Sequence, residues 1–284
     1  MDYRAGASIA ILALVLGSCA TTPPVVREPG AAAAWLGETP RVIVRLDAAQ
    51  VTAWSQVVQR QAALKAVGSR TKTIWLGLDL ENLDDLENAA DSVRIVLEGN
   101  FPRGEVAFAL NWNPGWKKGR VEGVWVNSQR DLSVSLPEDG LVAIRRHDPR
   151  PAEAVEGALR DLNAAALERT AVWISFWDPG KALFGSAGAR LLPVERLDVM
   201  LSISENGFLE GPVLLWFPDD RSAKAASVLL RLFSSQIRAR LGQDLVWTVE
   251  GSHIAGETLR FDQADLKVLA EKLLADPLAQ EASR

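Results

Sequence analysis

The sequence predicts an α+β fold: an antiparallel sheet with helices packed on one face. Three observations carry that expectation. Short segments of alternating apolar and polar residues recur along the chain, joined by tight turns. Longer segments show an apolar stripe at helical spacing. The two halves follow the same order of segments at a spacing of about 100 residues, so an internal duplication of a β-α-β-hairpin unit is expected.

The halves open with strands at 41–47 and 141–148, each ending at an aspartate that leads into a helix. In the first helix Asp47 with Gln50 three places on is a capping arrangement, and Val51, Trp54, Val58 and Ala62 form the buried stripe. The second starts at Asp148-Pro149, where the missing N–H of proline costs nothing, and buries Val155, Leu159 and Leu162. Strands at 70–75 and 169–173 follow. Two hairpins come next: 93–98 turns at Gly99-Asn100-Phe101 into 106–112, and 197–204 turns at Asn206-Gly207-Phe208 into 213–217. The closing strand pairs are 121–126 with 132–136, and 245–249 with 254–261. Between hairpin and closing pair the halves diverge. The first has the loop 113–119. The second has a helix over 220–241, with Leu229, Leu230, Phe233, Ile237 and Leu241 as its stripe and Val228 and Leu232 widening it. A last helix covers 262–274. Trp75, Trp125, Trp173 and Trp247 sit in strands and are expected in the core. The units are therefore 41–140 and 141–284, which together make one domain or two.

With 48% hydrophobic and 24% charged residues the chain has the composition of a folded protein. A net charge of −5 argues against a nucleic-acid partner. Cys19 is the single cysteine, so no disulfide forms within one chain and the body relies on its core. The two histidines, His147 and His253, lie in no Gly-x-Ser-x-Gly or His-Glu-x-x-His pattern. The acidic run Asp79, Glu81, Asp84, Asp85, Glu87 and Asp91 lacks the spacing of a calcium loop and reads as a solvated helix. Gly185-Ser186-Ala187-Gly188 lacks the Gly-Lys-Ser/Thr ending of a phosphate loop. No catalytic residue, metal site or cofactor is expected. The strongest contact surface surrounds the Pro114-Gly115 turn: Trp112 and Trp116 on either side of it, then Lys117 and Lys118. The competing expectation folds both rings over the core, where the second half has its helix.

At the start of the chain Arg4 precedes the apolar run 9–16. A permanent membrane helix needs about 20 residues, so this run suits the core of a signal peptide. Leu16-Gly17-Ser18-Cys19 follows. This resembles the lipobox of bacterial lipoproteins, and the overall style looks like lipoproteins of spirochaete type. The resemblance implies a signal peptide over 1–18, cleavage before Cys19, a diacylglycerol on its thiol and often a further acyl chain, such as palmitate, on its amine. Two or three acyl chains anchor a protein stably where one does not. Ala20 stands where inner-membrane lipoproteins of the enterobacterial type carry aspartate, so by resemblance it permits the outer membrane, which is expected over the inner one, with the body in the periplasm or at the cell surface. Residues 19–40, with Thr21-Thr22-Pro23-Pro24 and the alanines after Gly30, are expected to form a flexible tether. The leading expectation is a lipid-anchored, non-enzymatic envelope binding or scaffold protein. Its partners are membrane lipid, through acylated Cys19, and a protein of the envelope. One alternative is a periplasmic carrier or chaperone for a hydrophobic ligand, built around an apolar cavity. Another is a carboxylate-based hydrolase, which needs two converging carboxylates, one with a raised pKa. Cys19→Ser is expected to abolish incorporation of labelled fatty acid and partition into detergent; continued labelling of the variant contradicts the lipoprotein reading.

Overall fold

Val42–Asp47 and Thr71–Leu78 are rich in β-branched and other residues that favour a pleated, half-buried surface, and the two segments pair as antiparallel strands β1 and β2. The computed structural model describes residues 27–28, 30–37, 40–54, 69–79, 92–129, 131–146, 152–155, 167, 169–180, 192–232, 243 and 245–265. They fall into two compact units, one running to Val172 and the other beginning at Trp173.

In the first unit β3 (Arg94–Gly99) pairs antiparallel with β2. Then come β4 (Lys117–Lys118), β5 (Val124–Asn127), β6 (Leu132–Ser135) and β7 (Leu141–Arg146). The strand order is β1-β2-β3-β7-β6-β5-β4. Strand β7, expected to open the second half, thus lies between β3 and β6, and the unit continues beyond residue 140. The capping pair forms as expected: the Gln50 N–H donates to Asp47 Oδ1 at 2.9 Å, at the start of the helix Ala48–Trp54. Val58 and Ala62 of its expected stripe lie outside the described residues.

Side chains alternate between the faces of a strand, so register assigns each residue a face. One face presents Ile74, Ile95, Leu97, Val134, Val142 and Ile144. The other presents Ile43, Trp75, Val96 and Ala143. Both faces are apolar at the centre, and each has its own cover.

The helix Arg103–Trp112 covers the first face. Val106 and Leu110 point inward and pack with Leu97, Trp125, Val134, Val142 and Ile144. This corrects the expected hairpin, in which 106–112 was a strand after the Gly99-Asn100-Phe101 turn. Val106, Phe108, Leu110 and Trp112 recur every second residue, which fits a strand. The same residues are also two i,i+4 pairs, and in the fold one pair is buried and the other exposed. Pro102 at the helix N-cap (φ −59°, ψ 122°) and the good helix formers Ala107, Ala109 and Leu110 tip the balance.

The second face is covered by the 3-10 helix Ala31–Leu36, whose Ala32, Ala33 and Leu36 are fully buried against β2, β3 and β7. The expected tether over 19–40 is therefore corrected over its second half. Gly77 makes room for this segment: a Cβ there would lie 2.8 Å from the Pro40 ring and 3.5 Å from Leu36 Cδ1. With covers on both faces, the expectation of helices on one face only does not describe this unit.

The second unit has strand order β8-β9-β10-β12-β11, from β8 (Val172–Trp177), β9 (Arg196–Ile203), β10 (Leu209–Trp216), β11 (Trp247–Glu250) and β12 (His253–Phe261). The β9–β10 hairpin turns as expected, with Ile203 opposite Leu209 and Gly207 at φ +77°. The helix Asp220–Leu232 is capped by Asp219, whose Oδ1 accepts from the Ser222 N–H at 2.7 Å. It buries Ala223, Ala226 and Leu230 against Leu215, Phe217 and Ile254. Val228, expected on its apolar stripe, is exposed, and Phe233, Ile237 and Leu241 lie outside the described residues. The helix expected from Asp148 is not helical over 152–155, and most of its remainder, with 266–274 of the last helix, also lies outside them. Asp262 does cap a helical start, accepting from the Asp265 N–H at 2.8 Å.

Trp75, Trp125 and Trp173 are buried as expected. Trp247 is only half-buried, on β11, the last strand of its sheet. Trp75→Ala is expected to lower unfolding free energy by ~3–5 kcal/mol, as for large aromatic residues in cores. A loss below about 1 kcal/mol in urea unfolding contradicts the packing of that face.

Candidate functional site: an aromatic pair beside a lysine edge

The helix Arg103–Trp112 is fixed at both ends. At its start the Arg103 N–H donates to Asp139 Oδ1 at 2.8 Å. Near its end Asn111 Oδ1 accepts from the Trp125 indole N–H at 3.0 Å. With Val106 and Leu110 buried, the opposite side presents Phe108 and Trp112, one turn apart. Their rings are 5.7 Å apart, centroid to centroid, and tilted by 42°. Phe108 is 63% exposed and Trp112 75% exposed. Large aromatic residues are usually well buried, so two in contact on an open helix face make this the candidate contact surface.

The chain then turns through Pro114 and Gly115, with the Gly115 N–H donating to Asn113 Oδ1 at 3.0 Å. Trp116 returns into the core and is 6% exposed, packed with Leu97, Trp125 and Val134. This corrects the expectation that Trp116 shares a contact surface with Trp112. Lys117 and Lys118 are exposed and form β4, paired with Val126 and Trp125 at the end of the sheet. A lysine pair on a two-residue edge strand repels added strands, and it also sets cations beside the aromatic pair. Phe108 was missed at the sequence level because 106–112 was read as a strand; its i,i+4 relation to Trp112 was the available signal.

A second feature lies within the same unit. Glu98, on β3, is buried between Thr73 and Leu141 of the flanking strands. Burial raises its pKa above the ordinary carboxylate range, while the charges of Lys72, Arg27 and Arg45 and the indole N–H of Trp75 pull it back. The Arg45 guanidinium is itself buried and donates to the Thr170 carbonyl at 2.8 Å. Glu98 therefore stands among cations. Among the described residues, the groups acting on Glu98 are the cations Lys72, Arg27 and Arg45 and the indole of Trp75.

In the second unit Asp198 Oδ2 accepts from the Trp216 indole N–H at 2.8 Å and lies 3.0 Å from Arg196 Nε. His253 stacks on Trp216 at 4.8 Å and its Nε2 lies 3.3 Å from Glu250. It is the first residue of β12. Among the described residues no three His, Cys, Asp or Glu gather as a metal site. His147, Cys19 and the loop 185–188 lie outside those residues. So does the acidic run, apart from Asp79, which pairs with Arg94 at 2.7 Å.

The chain matches no protein-family model and no curated protein. Its fold is similar to that of TP0453, a protein of the spirochaete Treponema pallidum. Crystal form I of TP0453 aligns over 88% of this chain and 98% of its own, with a TM-score of 0.54 at 14% identity. Crystal form III aligns over 89% and 100%, with a TM-score of 0.53 at 14% identity. The likeness is one of fold.

The raised pKa of Glu98 has a definite sign in stability. The fold disfavours the ionised form, so the stability tied to the neutral acid is fully present below the ordinary carboxylate range. It is lost as pH rises through the raised folded value. Glu98→Gln removes that loss. The variant is expected to melt above the parent at neutral pH, with the difference shrinking as pH falls below the carboxylate range. A variant that melts below the parent at neutral pH shows that the attraction of Arg27, Arg45 and Lys72 outweighs desolvation.

Proposed function

We propose that this chain is a lipid-anchored, non-enzymatic binding or scaffold protein of the bacterial envelope. Acylated Cys19 holds the body on the outer membrane, and Phe108 and Trp112 meet a protein partner there, with Lys117 and Lys118 adding charge at the margin. The observation that carries this reading is the exposed ring pair on a helix whose other side is locked into the core. Rigid aromatic anchors lose little entropy on binding and dominate the energetics of interfaces, whereas margin lysines act chiefly on association rate.

We also infer that the two units descend from a duplication. Each has three neighbouring strands, β1-β2-β3 or β8-β9-β10, followed in sequence by a helix and later by a hairpin, β5–β6 or β11–β12, although β12 lies beside β10 while β7 separates β6 from β3. Trp125 and Trp247 lie in the first strand of those hairpins. The matching of 99–101 with 206–208 as paired hairpins falls away, because a helix follows the first of them.

Replacing Phe108 and Trp112 together by alanine is expected to leave unfolding free energy within about 0.5 kcal/mol of the parent, as for surface sites. The same variant is expected to lose recovery of the partner by the lipidated protein from its own envelope. Undiminished recovery at unchanged stability removes the pair from the function, and a large loss of stability assigns the rings to the core instead.

A further inference from the structure

The described residues that precede β1 are seated on the first unit at several points. Arg27 Nη2 lies 3.1 Å from Glu138 Oε2 and also donates to the Asp139 carbonyl, and the Arg27 side chain is largely buried. The 3-10 helix that follows contributes Ala32, Ala33 and Leu36 to the core. Its backbone is used from both sides: the Ala34 carbonyl accepts from the Val155 N–H at 2.9 Å, and the Gly37 N–H closes the helix onto Ala34 at 3.3 Å. Gly37 has φ +85°, and a Cβ there would meet Arg145 Nη2 at 2.8 Å. Pro40 then settles into the space left by Gly77. Residues 27–37 therefore complete one face of the sheet, with Glu98 buried on that same face.

We propose that residues 27–37 are a fixed strap, so that the body hangs from its membrane on the few residues between Cys19 and Arg27 and meets its partners at the membrane that carries it. The inference rests on acylation of Cys19. A chain spans at most about 3.3–3.6 Å per residue, so the leash from residue 19 to 27 reaches roughly 26–29 Å; a free tether to residue 40 would reach roughly 70–75 Å. The strap removes more than half of that range. It also fixes the point of attachment: the leash joins the body at the corner where Arg27 meets Glu138 and Asp139. That corner is joined to the aromatic helix, because Asp139 Oδ1 accepts from the Arg103 N–H. The helix is ten residues long, so Phe108 and Trp112 stand within about 15 Å of its anchored end. A contact surface so placed works on a partner in or beside the same membrane and is held away from anything across the periplasm.

Trypsin tests this directly, since Arg27 and Arg41 are the only tryptic positions between Cys19 and β1. The full lipidated protein is bound to phosphatidylcholine vesicles, exposed to trypsin and refloated, and the fragments are weighed by mass spectrometry. The parent is expected to stay with the vesicles with the Arg27–Glu28 bond intact. Leu36→Asp and the milder Gly77→Ala are expected to be cut at Arg27 about tenfold faster or more, because cleavage follows the population with the strap lifted. Two variants are used because Leu36→Asp alone can unfold the unit; a native circular dichroism spectrum identifies the one to read. Cutting at Arg27 in the parent as fast as in a folded strap variant overturns the strap. A chain that never floats with the vesicles overturns the anchor, and the leash with it. The two failures are thereby told apart.

Discussion

Strand β3 is the constraint on which the first unit depends. It lies between β2 and β7 with apolar side chains on both faces: Val96 on one, Ile95 and Leu97 on the other. A sheet apolar on both sides cannot leave either to water, so two covers are required. The chain supplies them from opposite directions in sequence. The residues after β3 return as the helix Arg103–Trp112, and the residues before β1 return as the strap. With a single cysteine and no disulfide possible within one chain, packing and hydrogen bonds hold both covers, and the Arg27–Glu138 ion pair adds to them at the strap.

The two covers have different consequences. The helix has a narrow buried side, Val106 and Leu110, so its outer side is free to carry Phe108 and Trp112. The strap meets the sheet through Ala32, Ala33 and Leu36, and the face it covers includes a carboxylate. Glu98 is held on that face by sheet geometry, since a residue two places from Val96 must share its side. Lys72, Arg27 and Arg45 offset part of its desolvation, which is why its pKa is raised and yet drawn back. Arg27 thus serves twice, as the strap's outer fastening and as one of the charges acting on Glu98.

Much of the sheet was legible in the sequence. Alternation marked the strands, the Asp47–Gln50 spacing marked a helix start that the Gln50 N–H confirms, and Asn206-Gly207 marked a true hairpin turn. What failed did so for identifiable reasons. The segment 106–112 satisfies both periods, and the choice was made by contacts with β5, β6 and β7, which are distant in sequence. Ala31–Ala34 has no apolar periodicity, so nothing local distinguishes a buried run of small residues from a tether. Ala32 and Ala33 are the buried members of that run, and the space at Gly77 that admits the neighbouring Leu36 and Pro40 is revealed only by the folded sheet. Trp116 and Trp112 look equivalent around a Pro-Gly turn, and the turn itself sends one inward and leaves the other outside. Glu98 reads as an ordinary polar position at the end of a strand until the opposite cover is in place.

Hydrogen exchange on the vesicle-bound protein, with no substitution, tests the central claim that the segment before β1 is part of the fold. The amides of Ala33 and Gly37, which donate to Gly30 and Ala34, report on the strap, and those of β3 report on the sheet it covers. The account predicts that the strap amides are protected far beyond an open chain and lose protection only in openings that also expose β3 neighbours on that face. Exchange of residues 30–37 at the rate of an unstructured peptide, while β3 stays protected, would contradict it.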